Sequence, residues 1–204
     1  MPTRVILGRK LSGKTTLAKK FLAVSGPTLI IDPNGEHRVR RKTDSHRILF
    51  DWLKRPLSQH IAYVPPFCDR DEFDTICEIV LRLRVPRLHV EEVADFVSPT
   101  VRSVFFATLC RRDRHFGVEL LATSQRPAEV PRELTANNDL YCFRFSEPRD
   151  RDYCARMIPN YETMADCLDE HECIVYHGET GAAHILPADW RPGDSVRRAA
   201  APPN

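Results

Sequence analysis

The stretch Gly8-Arg9-Lys10-Leu11-Ser12-Gly13-Lys14-Thr15-Thr16 constrains the fold of this chain more than any other. It follows an apolar run, Val5-Ile6-Leu7, and leads into the helix-favouring Thr16-Leu17-Ala18-Lys19-Lys20. Strand, glycine-flanked loop and helix in that order make a phosphate-binding loop. Its two glycines let the backbone wrap an anion, so that successive N–H groups and the helix N-terminus face it. Lys14 then reaches the β- and γ-phosphates as a point charge, and the Thr15 hydroxyl completes a Mg²⁺ shell. The motif therefore predicts a nucleoside triphosphate, ATP, with Mg²⁺, held by residues 8–16.

Around this loop, apolar runs alternate with helical stretches, which predicts an α/β domain with a mostly parallel sheet covered on both faces. The predicted strands are Arg4–Leu7, Thr28–Asp32, Ile61–Val64, Leu88–Glu92, Val118–Thr123 and Leu140–Phe145. Two later runs, Cys173–Tyr176 and Ala183–Leu186, flank Gly178-Glu179-Thr180-Gly181 and predict a C-terminal hairpin. Helices are predicted at Lys14–Ala23, Glu72–Arg82, Thr100–Arg111 and Arg149–Met157, with Ser98 and Pro99 as cap and first turn of the third. A length of 204 residues suits one such domain, expected over 1–190. The remainder, 191–204, is rich in Pro, Ala and Arg and is expected to be a disordered tail.

Apolar content of 42% and a formal charge of +2 leave no polybasic surface to infer, so any nucleic-acid contact must be a local patch. The chain has no apolar run long enough to span a bilayer, and seven scattered cysteines without a CxxC pair read as reduced thiols. Together they predict a cytoplasmic protein that is not an integral membrane protein.

A phosphate-binding loop hydrolyses nothing alone; it needs carboxylates at the end of a nearby strand. Leu88-His89-Val90-Glu91-Glu92-Val93 offers an apolar strand ending in two acids. Successive side chains on a strand point to opposite faces, so the two take different roles: Glu91 in the metal shell, Glu92 polarising water. Aspartate is usual at the first position, and Glu91 reaches one carbon further.

The stretch Asp113-Arg114-His115-Phe116-Gly117-Val118-Glu119-Leu120-Leu121-Ala122-Thr123-Ser124-Gln125-Arg126-Pro127 resembles the fourth-strand region of the FtsK–HerA division of P-loop ATPases. In that division an Arg precedes a buried strand ending in Thr-Gln-Arg-Pro; here Ser124 is interposed. Three further segments agree, in the family's order: Ile30-Ile31-Asp32-Pro33-Asn34-Gly35-Glu36-His37, then Val130-Pro131-Arg132-Glu133-Leu134 with Asn137-Asn138-Asp139, then Phe143-Arg144-Phe145-Ser146-Glu147-Pro148-Arg149-Asp150. The resemblance covers about Val5 to Met157 and implies a RecA-like ring-forming DNA pump. Gln125 matches its polar sensor of the γ-phosphate or lytic water. Arg114 matches the arginine that a neighbouring subunit inserts against the transferred phosphate, with Arg111 and Arg112 as competitors for that role. The resemblance further implies a head-to-tail homo-oligomeric ring, a hexamer in the family pattern, acting on double-stranded DNA without sequence preference. The bare core is similar to the genome-packaging ATPases of tailless, internal-membrane, double-jelly-roll viruses. That likeness would add a capsid or membrane vertex protein as partner, and the host cytoplasm or virion vertex as location. Two other function classes share the loop: a nucleotide or small-molecule kinase, and a non-motor NTP-dependent switch.

Weaker signals complete the reading. Arg38-Val39-Arg40-Arg41-Lys42 is either a DNA-contacting loop or a solvated one, and Arg191, Arg197 and Arg198 form a basic tail. Cys167, His171, Cys173 and His177 are metal-ligand types at a spacing no familiar zinc site uses. His89, Trp52 and Trp190 read as packing residues.

Overall fold

The computed structural model describes residues 3–194, apart from the side chain of Arg114. Its centre is a nine-stranded sheet: β1 (Arg4–Leu7), β2 (Leu29–Ile31), β3 (Arg41–Thr43), β4 (Ile61–Tyr63), β5 (Arg87–Val90), β6 (Glu119–Ser124), β7 (Asp139–Phe143), β8 (Cys173–Tyr176) and β9 (Ala183–Leu186). The spatial order is β3-β4-β2-β5-β6-β1-β7-β8-β9. Strands β3 through β7 in that order are parallel, while β8 and β9 close the edge as the antiparallel hairpin foreseen from the sequence. Apart from the polar edge strand β3, the parallel strands are short apolar runs because both of their faces are covered.

The pleat divides the core. Val5 and Leu7 of β1, with Leu29 and Ile31 of β2, enter one cluster; Ile6 and Ile30 enter the other. The first cluster lies under α2 (His46–Leu53), α3 (Arg70–Leu83), α4 (Val104–Phe116), α6 (Pro148–Met157) and α7 (Tyr161–Asp166), with the single turn α5 (Arg132–Thr135) beside α4. Helix α3 shows why it packs there: Phe73, Ile76, Cys77, Val80 and Leu81 repeat at three- and four-residue steps, and Asp69 caps its N-terminus through the Asp71 and Glu72 amides. The second cluster is covered by α1 (Lys14–Val24), which contributes Leu17, Ala18, Phe21 and Leu22. Segment 187–190 straps across that helix: Lys20 Nζ donates to the Ala188 and Trp190 carbonyls, and Trp190 packs tilted on Phe21 with ring centres 5.6 Å apart. Burying a ring such as Phe21 contributes roughly 1.5–3 kcal/mol.

Several sequence expectations shift. Helix α4 starts at Val104, not Thr100: Ser98 Oγ accepts from the Thr100 and Val101 amides and closes a turn, while Ser103 caps the helix through the Phe106 amide. The half-buried Asp74 carboxylate fixes that start by accepting from Ser103 Oγ and the Phe105 amide. The basic run 38–42 is not simply a loop, because its second half is edge strand β3. There Arg41 lies over the Trp52 ring, and Lys42 Nζ donates to the Gly35 carbonyl, 3.7 Å from Asp32 Oδ2. Charged side chains on an edge strand discourage edge-to-edge pairing. Of the tail, Arg197 and Arg198 lie outside the described residues. No helix among the described residues is long and apolar enough to cross a membrane.

Candidate active site

The site gathers at the C-terminal ends of the parallel strands, where α/β sheets bind ligands. Register aligns those ends: Leu7 pairs with Ser124, Val90 with Ala122, and Ile31 with Val90. The Gly8 amide donates to the Ser124 carbonyl at 3.1 Å, and the chain then turns through the loop into α1. Gly8 has no room for a side chain: a Cβ there would stand 2.5 Å from Ser12 Oγ and 2.9 Å from Phe143 Cβ. Gly13 sits at φ 110° as the N-cap residue of α1, a conformation that favours glycine. The His171 ring, on the loop before β8, donates from Nδ1 to the Ser12 carbonyl at 3.2 Å and holds the loop from outside.

Lys14 is buried, and its Nζ lies 3.4 Å from both the Arg9 carbonyl and Glu92 Oε1. Lys14 and Glu92 line a cavity of about 1010 Å³ together with Lys10, Leu11, Gly13, Thr15, Thr16, Glu91 and Gln125. Arg9 and Lys10 are exposed at the tip of the loop. The cavity has the size of a nucleotide site, and α1 presents its N-terminal amides to it.

The two acids do not alternate as strand residues. Strand β5 ends at Val90, and Glu92 adopts φ 48°, ψ 55° in the left-handed region. That turn redirects the Glu92 side chain: Oε1 faces Lys14 Nζ, while Oε2 accepts the Gln125 amide at 3.0 Å. The Glu92 amide donates to Thr123 Oγ1 at 3.1 Å, which anchors the turn to β6. A strained non-glycine residue costs about 1–3 kcal/mol and persists where its surroundings hold it.

Glu91 is held differently. His37 Nε2 lies 2.9 Å and His89 Nε2 3.4 Å from the same oxygen, Oε1. Among the described residues no hydrogen bond reaches Oε2, and Glu91 also lines the cavity. Burial alone pushes the Glu91 carboxyl up; hydrogen bonds from His37 and His89, with their charge, outweigh it and hold the group well below the usual carboxylate range. Beyond its place in the 30–37 turn, nothing in the sequence marks His37. Asp32 brings it in, because its carboxylate accepts the Glu36 and His37 amides, each at 2.9 Å. The Thr15 hydroxyl and the Glu91 and Glu92 carboxylates are the hard oxygen donors that Mg²⁺ takes, so the wall of the cavity fits that ion.

Gln125 also lines the cavity, exposed just beyond β6, where its backbone meets Glu92. The arginine and Cys/His candidates are dispersed. Arg114 lies in α4 with its side chain outside the described residues. Arg111 pairs with Glu133 at 2.6 Å, and Arg112 is exposed at a non-helical break in α4. Cys167, His171, Cys173 and His177 form no ligand cluster: His171 holds Ser12, Cys173 is buried in β8, and His177 Nδ1 lies 3.3 Å from Asp139 Oδ1. Among the described residues the one His/Cys/acid group that could close on a metal ion is His37, His89 and Glu91. His89 thus belongs to the site's edge and not only to packing.

No protein-family model matches the chain, and no curated protein matches it in sequence. Solved structures do match. The genome-packaging NTPase B204 of Sulfolobus turreted icosahedral virus 2, in complex with AMPPCP, is 16% identical with a TM-score of 0.76, over 93% of this chain and 98% of that one. B204, the DNA-packaging ATPase of Sulfolobus turreted icosahedral virus, is 17% identical with a TM-score of 0.76, over 91% and 97%. EccC of Thermomonospora curvata (ATPases 2 and 3) is 13% identical with a TM-score of 0.57, over 94% of this chain and 37% of that one. The chain has the P-loop NTPase fold of these proteins, and they bear out, at the level of the fold, the FtsK–HerA resemblance read from its motifs.

Proposed function

We propose that this protein is an ATP-driven motor for double-stranded DNA, a viral genome-packaging ATPase that works as a homo-oligomeric ring. The observation that carries the catalytic part is the convergence of Lys14, Glu92 and Gln125 on one cavity behind a glycine-flanked loop. Lys14 neutralises the β- and γ-phosphates. Glu92, beside the lysine and braced by the Gln125 amide, accepts a proton from the attacking water. Gln125 senses the γ-phosphate with its side-chain amide. Thr15 and Glu91, through its Oε2, would hold Mg²⁺, which would supply positive charge against the phosphates. Arg114 of a neighbouring subunit stabilises the transferring phosphoryl group, and planar, always-charged Arg suits that role.

The packaging part is supported by the fold shared with two viral genome-packaging enzymes along nearly the whole of each chain. A vertex protein of capsid or membrane would then anchor the ring. The test is steady-state phosphate release against protein concentration, with and without linear duplex DNA, using Lys14→Ala as blank. A ring completed by Arg114 gives a rate per subunit that climbs with concentration and climbs again with DNA. A rate flat in both sinks the motor reading, and phosphate transfer to an acceptor hydroxyl in its place would make the protein a kinase.

A further inference from the structure

Beside the nucleotide cavity, His37, His89 and Glu91 bring three ligand atoms within 4.8 Å of one another. All three are nearly or wholly out of solvent, at 3%, 0% and 2% exposure. We propose that this trio is a site for a borderline transition-metal ion of the Zn²⁺ class, separate from the Mg²⁺ that accompanies nucleotide and not required by the motor reading.

The tautomer of His89 is the first argument. Its Nδ1 lies 3.1 Å from the Leu121 carbonyl, which can only accept, so Nδ1 carries a proton. Its Nε2 is then the ring atom turned to the Glu91 carboxylate oxygen, 3.4 Å away in a fully buried place, where a metal ion could take the position of a proton. Bonding of the outer imidazole N–H to a backbone carbonyl is also how proteins orient and enrich a metal-ligating histidine.

Geometry is the second argument. Both imidazole Nε2 atoms converge on one oxygen, at 2.9 and 3.4 Å, with the rings edge-to-face at 5.4 Å between centres. Ligands about 2.0–2.1 Å from zinc stand roughly 3.3 Å apart at the corners of a tetrahedron, a spacing the two nitrogen–oxygen distances approach. The ligands are also built in. His89 is on a central strand, Glu91 is tied by its amide to the Ile31 carbonyl at 3.0 Å, and Asp32 pins the His37 backbone by the bond described above. Preorganised ligands on rigid elements are what a metal site requires.

Ligand softness decides the ion. Two imidazoles and one carboxylate favour Zn²⁺, Co²⁺ or Ni²⁺, whereas Mg²⁺ takes oxygen ligands and keeps its waters. Three protein ligands leave a coordination position, and Glu91, Asn34 and Glu36 all line the nucleotide cavity on that side. The open position would take water or a phosphate oxygen.

Chelator-stripped, nucleotide-free protein titrated with Co²⁺ in excess Mg²⁺ tests this. The expected result is one Co²⁺ per chain, a visible ligand-field band, and two imidazole nitrogens by X-ray absorption at the cobalt edge. His37→Gln, on a loop, should weaken binding at least about tenfold. Lys14→Ala should bind Co²⁺ as the wild type does. No stoichiometric Co²⁺, ready displacement by Mg²⁺, a shell without two imidazoles, or equal binding by folded His37→Gln would each overturn the site. X-ray absorption on the wild type decides the matter even if a variant fails to fold. Co²⁺ binding without ATP turnover would sink the motor and leave the metal site; turnover without Co²⁺ binding would do the reverse.

Discussion

Glu92→Gln changes one atom in a side chain with two neighbours, and the two neighbours predict different fates for turnover and for binding. The amide keeps an oxygen for the Gln125 amide, now 3.0 Å from Oε2, so the turn at 92 retains its brace. It loses the charge facing Lys14 Nζ at 3.4 Å, in a pair whose side chains are 7% and 12% exposed. Coulomb attraction at that separation is about 5 kcal/mol at an effective dielectric constant of about 20, before desolvation is subtracted. That attraction competes with phosphate for the lysine, and the glutamate also repels phosphate directly. Removing it should therefore leave ATP affinity intact or raise it. Removing the proton acceptor should lower kcat by about 10²- to 10⁴-fold, a barrier increase of about 2.7–5.5 kcal/mol. The assay pairs phosphate release with equilibrium binding of a fluorescent ATP analogue, with Lys14→Ala losing both. Turnover within about threefold of wild type would remove Glu92 as the base. Loss of binding as deep as in Lys14→Ala would refute the competition argument.

Two further outcomes test the scaffold. Gly178→Ala would put a Cβ 2.3 Å from the Asn137 carbonyl carbon and 2.5 Å from the Asn138 amide nitrogen. Backbone cannot give way cheaply, so the melting temperature should fall by several degrees, at about 2–4 °C per kcal/mol for a chain of this size; an unchanged melt refutes the close approach. His184 in β9 is buried, with Nε2 unpartnered among the described residues and the His177 ring stacked 5.3 Å away. Burial first, then the neighbouring His177, lowers its pKa below the ordinary 6.5. The unfolded chain then binds more protons than the folded one below about 6.5, so this contribution to stability is complete above that pH and lost as pH falls. Melting temperature should drop from pH 8 to pH 5.5, and less steeply in His184→Gln; equal slopes would refute it.

The sequence exposed the strands and the loop because their signals are local: short apolar runs, two glycines, a lysine and threonines in a fixed order. It hid β3, α2 and α7. Edge strand β3 is Arg41-Lys42-Thr43, polar because an edge faces water, and so it reads as a charge run. Helix α2 is only two turns long and buries only Leu49 and Leu53, with Ile48 and Phe50 exposed beside them, so it does not read as a core helix. Helix α7 is six residues long, and its N-cap Asn160 sits at φ 57°, a tertiary choice that spacing does not reveal. The true start of α4 depends on Asp74, 29 residues upstream of Ser103, a contact no window reading can find.

The acid pair shows where a local rule fails for a physical reason. Alternation along a strand would send Glu91 and Glu92 to opposite faces, and only one of them could then reach the cavity. Because β5 stops at Val90 and Glu92 turns left-handed, both carboxylates line the same cavity. They remain distinct through their partners and not through their faces: a buried cation on one, two imidazoles on the other. The extra methylene of Glu91, relative to the usual aspartate, has a use in this arrangement. It lets one carboxylate present Oε1 to the histidines while leaving Oε2 for the cavity, so the departure at this position and the presence of His37 and His89 are one feature. Glu91→Asp should therefore separate the two roles, loosening the histidine contacts first, since both are made to a single oxygen at 2.9 and 3.4 Å.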